Sequence, residues 1–114
     1  MERPPPRVVY RVVEHDPAEP DDFLSDDAAG LPAASYEMPR HRRGMSTSSR
    51  LSDARGLAKL LKRRRGRDLM HIAVVSIEPG GSFQVEQSGP NRHHYTLWGD
   101  PAALARHARI VQTV

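Results

Sequence analysis

Between Met70 and Trp98 three β-forming runs follow one another with only turn signals between them. Met70 to Ile77 is an apolar run of the kind buried on both faces of a sheet. Pro79-Gly80-Gly81 turns it into Phe83 to Gln87, where Phe83 and Val85 face one way and Gln84 and Glu86 the other. Ser88-Gly89-Pro90-Asn91 is a second turn signal, and His93 to Trp98 is the third run. Three consecutive strands predict an antiparallel-rich α+β fold rather than a doubly wound parallel one. The expected architecture is a set of small mixed sheets, as one layer or two packed together, with three short helices.

The remaining elements fit around that unit. Residues 1–6 contain three consecutive prolines, which favour polyproline II and cannot join a sheet ladder, so they read as a disordered leader to one domain over 7–114. Arg7 to Glu14 is a strand rich in valine, and Pro20 to Leu24 opens a short helix with acids in its first turn and Gly30 after its end. Residues 31–43 hold Pro32 and Pro39, lack periodicity and read as a long loop of the kind that often forms a lid. Leu51, Ala54, Leu57, Ala58 and Leu61 share one helical face. Ser49 or Ser52 is placed to cap that helix, Asp53 lies in its first turn, and Lys62 to Arg65 fill the last turn before Gly66. Asp100-Pro101 pairs an N-cap with a proline at the first helical position and opens a helix to about His107. Ile110 to Val114 is a last strand, giving the order β-α-β-α-β-β-β-α-β.

At 114 residues the chain can bury one modest core. It contains no cysteine, which excludes disulfides and thiolate metal sites and accords with a reducing cytoplasm. No window approaches the roughly 20 apolar residues of a membrane span, and the N-terminus lacks the apolar core of a signal peptide. The net charge of +3 conceals two opposed blocks. Residues 14–27 carry seven acids and no Lys or Arg, whereas residues 40–67 carry eleven Lys or Arg against one acid, Asp53. Such blocks can pair within the domain, across a homodimer or with a protein partner. Arginine outnumbers lysine fifteen to two, a pattern that matches the codon bias of a GC-rich genome. Residues 62–67 and 40–43 could bind nucleic acid only weakly and without sequence preference, because no aromatic interleaving or helix-turn-helix pattern accompanies them.

Several residues stand out chemically. Arg11 interrupts an apolar strand, where an unpaired guanidinium is costly. It either reaches solvent or the acidic block, or clamps a phosphate or ribose. Ser46, Thr47 and Ser48 supply more hydroxyls than a helix cap needs, and an inner one could bond a ribose or carboxamide. Gln84 and Glu86 share one strand face, which is either solvated alternation or the wall of a cleft in which Glu86 acts on a sugar carbon. His94, Thr96 and Trp98 share a face as well. Adjacent His93 and His94 point to opposite faces and cannot share a metal, so no metal site is expected.

An arginine on the first strand, Ser-Thr-Ser on a second and Gln-x-Glu on a later one resemble the ADP-ribosyltransferase superfamily. Here these are Arg11, Ser46-Thr47-Ser48 and Gln84-x-Glu86, and "GMSTSSRLSDARGLAKL" followed by "IAVVSIEPGG" is similar to that family's middle section. The resemblance implies NAD as substrate, bound in a cleft by Arg11, Ser46, Thr47, Ser48 and Gln84. It also implies passage of ADP-ribose to an unidentified acceptor macromolecule, as in small bacterial or phage-linked toxins and modifiers. The family's acidic motif usually follows a longer connection after the "IAVVSI"-like strand, and in that register His94 replaces the glutamate. The catalytic residue is therefore Glu86 or His94. The alternative is a non-enzymatic interaction module on the same scaffold.

Overall fold

The structure, a computed structural model, describes residues 5–31 and 38–114. Six strands form a single sheet: β1 (Val8–Val13), β2 (Met45–Ser48), β3 (His71–Ser76), β4 (Gln84–Gln87), β5 (His94–Trp98) and β6 (Arg109–Thr113). Their order across the sheet is β4-β5-β2-β1-β3-β6, and every pair is antiparallel. The α+β class is as expected, but the strands are neither mixed in direction nor split between two layers. The first four of the leader's six residues and positions 32–37 of the expected loop lie outside the described residues.

Valine alternation in β1 divides the core into two parts. Val9 and Val13 face one side, where they pack with Phe23, Met45, Ala73, Val75, Tyr95, Leu97 and Leu104. A 3-10 helix at Pro20–Phe23 and helix α3 (Pro101–His107) cover this side. Tyr10 and Val12 face the opposite side, against Ala54, Ala58, Met70 and Ile72. Helix α2 (Leu51–Arg64) lies there and packs over β1, β2 and β3. Burial from both sides explains the continuous apolar run of β3: Ala73 and Val75 enter one cluster and Ile72 the other.

Three local details differ from expectation. Pro20 begins a 3-10 turn and not an α-helix, because Asp22 folds back on residue 19: its side chain accepts from the Glu19 N–H and its own N–H donates to the Glu19 carbonyl. Neither Ser49 nor Ser52 caps α2. Arg50 occupies the N-cap without a side-chain cap bond, and the Ser48 hydroxyl accepts from the Arg50 N–H at 3.1 Å. Inside the expected loop, Pro39–Arg42 forms a single helical turn, α1, with proline at its first position. At α3 the Asp100 carboxylate accepts from the Ala103 N–H at 3.0 Å, as the Asp-Pro pair requires.

The two charged blocks meet within the domain. Arg42 donates to Asp27 at 2.7 Å, and Arg65 donates to Glu14 at 2.6 Å with Arg67 beside it. Three of the eleven basic residues, Arg42, Arg65 and Arg67, are therefore matched to the acidic block. No helix among the described residues is long and apolar enough to cross a membrane.

Candidate functional site

Register decides which side chains can meet, because residues directly opposite in an antiparallel pair project to the same face. Tyr10 is opposite Ser48, Ser48 opposite His94, Ser46 opposite Thr96, and Thr96 opposite Glu86. Ser46, Ser48, Glu86, His94 and Thr96 therefore share the α2 face. Helix α2 sits over β1, β2 and β3, and the outer part of this face, on β2, β5 and β4, holds a cleft of about 700 Å³. Ser46, Glu86, His94 and Thr96 form its floor, Arg40 and His41 of α1 one wall, and the turn from Ser88 to Asn91 another. A smaller cavity of about 200 Å³ adjoins it, lined by Tyr10, Ser48, Asp53 and again by Ser46 and His94.

The close approach of α1 to the sheet depends on Gly44. A Cβ there would come within 2.5 Å of Thr96 Cγ2 and 2.7 Å of the Leu97 carbonyl oxygen, so only glycine lets the chain pass from α1 into β2. Trp98 then donates its indole N–H to the Arg40 carbonyl at 3.1 Å, and the His41 ring tilts against the Trp98 ring at 6.0 Å. Arg40 holds Glu86 with both terminal nitrogens, one of them at 2.6 Å. His41 Nε2 is buried without a hydrogen-bond partner among the described residues, 3.8 Å from Glu86 Oε1.

His94 is fixed by the β4–β5 turn. Its Nδ1 lies 3.0 Å from the Ser88 carbonyl oxygen and 2.9 Å from the Ser88 hydroxyl, which in turn is 2.8 Å from the Thr96 hydroxyl. Ser88 and Thr96 are both buried. The turn itself is stiff, because the Asn91 side chain accepts from the His93 N–H and the Gln87 amide donates to three turn carbonyls. His94 Nε2 makes no hydrogen bond among the described residues.

Of the residues singled out from sequence, the structure brings together Ser46, Glu86 and His94. It does not bring Arg11 to them. Arg11 projects from the opposite face, between Val9 and Val13, where Nε donates to the Asp22 carbonyl and Nη1 to the Ser46 carbonyl, each at 2.7 Å. Strands β1 and β2 pair at Tyr10 and Ser48, and two residues further on the guanidinium donates to the Ser46 carbonyl. Desolvation lowers the Arg11 pKa to about 10, against the pull of Asp26 and Asp22 towards the charged form.

Thr47 also belongs to the other face, and its hydroxyl donates to the Tyr95 carbonyl at 2.9 Å. Ser48 reaches only the smaller cavity, and its hydroxyl is engaged with the Arg50 N–H. Gln84 is exposed and lies outside the cleft lining. Sequence reasoning missed Ser88, which reads as an ordinary turn residue, and placed Arg40 and His41 in a basic run. The signal for Arg40 was Pro39, which starts the helical turn that aims it. Comparison with known proteins finds no matching family model, no matching curated protein and no matching solved structure.

Proposed function

We propose that the cleft takes NAD as a substrate and that the protein is an ADP-ribosyltransferase-like enzyme in which His94, not Glu86, serves the reacting centre. The observation that carries this reading is the convergence of Ser46, Glu86 and His94, three residues from separate strands, on one concave site. Its volume of about 700 Å³ lies within the range of ligand sites. Glu86 is the weaker candidate because Arg40 already holds both of its carboxylate oxygens. His94 keeps Nε2 uncommitted and can accept a proton from an acceptor hydroxyl.

Arg40 replaces Arg11 as the guanidinium facing the cleft and would exchange Glu86 for an anionic part of the ligand, with the Ser46 hydroxyl beside it. NAD would supply an activated nicotinamide–ribose bond. Attack by the acceptor at the ribose carbon releases neutral nicotinamide, and the acceptor's proton passes to His94. The test is a melting curve with NAD. Ligand at 100 times its dissociation constant adds about 2.7 kcal/mol, several degrees for a domain of this size. No shift at millimolar NAD overturns the reading.

The commitment of Arg11 to backbone carbonyls favours a second reading, a binding module without turnover. A thermal shift with NAD, without release of nicotinamide and without loss on His94→Gln, would select it. Nucleic-acid binding through residues 40–67 would be weak and strongly salt-dependent, since Arg42, Arg65 and Arg67 already face acids.

A further inference from the structure

A carbonyl oxygen has no hydrogen to give. The 3.0 Å contact between the Ser88 carbonyl and His94 Nδ1 is therefore a hydrogen bond only when Nδ1 carries the proton. A neutral imidazole has one N–H, so Nε2 must then hold a lone pair. The Ser88 hydroxyl is 2.9 Å from the same nitrogen and 2.8 Å from Thr96 Oγ1. With the proton on Nδ1, that hydroxyl accepts from His94 and its own hydrogen is left for Thr96. Both hydroxyl residues are almost wholly buried, at 6% and 3% exposure, so water does not compete for the arrangement.

We propose that Ser88 is a positioning residue that fixes His94 in the Nδ1–H tautomer and so makes Nε2 the proton acceptor of the cleft. The imidazole lines the cleft, and its Nε2 makes no hydrogen bond among the described residues. When Nε2 takes up a proton, the Nδ1–H remains on Ser88, whose two oxygens stabilise the resulting imidazolium without any side chain having to move. An isolated imidazole carries no such constraint, so the tautomer is a property conferred by this turn. The inference rests on the reading of His94 given above, but the tautomer can be read with no nucleotide present.

The experiment is a long-range proton–nitrogen spectrum of the full chain labelled with nitrogen-15, recorded above the titration of the imidazole. His94 is assigned by its disappearance in His94→Gln. The expected pattern is a protonated Nδ1 and a bare Nε2; a protonated Nε2 in the unmodified protein overturns the proposal. Ser88→Ala keeps the carbonyl but loses the hydroxyl, and should lower the ratio of Nδ1–H to Nε2–H about fivefold, the weight of one hydrogen bond. Ser88→Thr should preserve the ratio. An unchanged ratio in Ser88→Ala, whatever its melting temperature, reduces the hydroxyl to a staple of the turn and overturns its positioning role. Absence of a thermal shift with NAD would leave the tautomer result standing, so the two readings fail separately.

Discussion

On the side of the sheet that faces the 3-10 helix, the Asp22 carboxylate accepts from the Glu14 N–H, the Glu19 N–H and His15 Nδ1, while Arg11 binds the Asp22 carbonyl. On the outer part of the other side, His94 Nε2 and His41 Nε2 have no hydrogen bond among the described residues, although they line a cleft with Glu86 and Ser46. Both regions hold charged groups on a small apolar frame. The first uses its polar atoms on one another and closes the chain; the second leaves ring nitrogens without a hydrogen bond among the described residues. An arginine in an apolar strand invites a functional reading, yet Arg11 serves the fold, while Arg40, from an unremarkable basic run, faces the cleft. Exposure and saturation of hydrogen bonds separate the two roles; residue type does not.

The comparison predicts its largest effect at Arg11. Arg11→Met keeps much of the apolar stem but strips donors from the carbonyls of Asp22 and Ser46, next to the charges of Asp22 and Asp26. Removing one side of a buried charged network costs about 3 kcal/mol. The melting temperature should fall by on the order of 10–20 °C. Urea unfolding of the variant measures the cost, and NAD binding by whatever fraction stays folded should be retained. A stable Arg11→Met protein that loses NAD binding would reverse the assignment of the two faces.

A smaller effect belongs to His15. Its hydrogen bond to Asp22 at 3.0 Å raises its pKa above 6.5, with partial opposition from desolvation and further help from the charges of Asp22, Glu19 and Glu14. A raised folded-state pKa means that this contribution to stability is complete below pH 6.5 and is lost as pH rises through the folded value. Chemical-denaturation midpoints should therefore decline across that window, and His15→Asn should flatten the decline. A midpoint that rises with pH in the native protein and not in the variant would contradict the pairing.

Much of this could be read in the chain beforehand, for reasons particular residues make plain. Pro79-Gly80-Gly81 and Ser88 to Asn91 announce the late strands, and Asp100-Pro101 announces α3, because each signal acts within a few residues of its effect. Alternation put Gln84 with Glu86, and His94 with Thr96 and Trp98. What alternation lacks is the register between strands far apart in sequence. Tyr10 is the residue opposite Ser48, which leaves Arg11 on the face away from Ser46 and His94. A slip of one residue would have turned Arg11 to the face of Ser48 and His94. The hydroxyl motif misled similarly: Thr47 alternates away from Ser46, so three adjacent hydroxyls serve two faces and only Ser46 reaches the larger cavity. Ser88 was illegible because its role depends on the fold of the β4–β5 turn, which brings its carbonyl and hydroxyl to the ring of His94.

The smallest effect on stability should come from the Arg40–Glu86 pair, and that smallness sharpens the contrast with Arg11. The two side chains are 54% and 38% exposed, so water screens their attraction and competes for their hydrogen bonds. Glu86→Gln should cost about 0.2–1 kcal/mol, with the difference fading as salt is raised. The same substitution frees Arg40 for a ligand anion and should tighten NAD binding in titration calorimetry, whereas Arg40→Gln should weaken it. Transfer of ADP-ribose should persist in Glu86→Gln and vanish in His94→Gln. Loss of transfer in Glu86→Gln, with the fold intact, would move the chemistry from β5 to β4. A stability cost in Glu86→Gln as large as that of Arg11→Met would show instead that the cleft wall is sealed structure, and the distinction between the two halves would not hold.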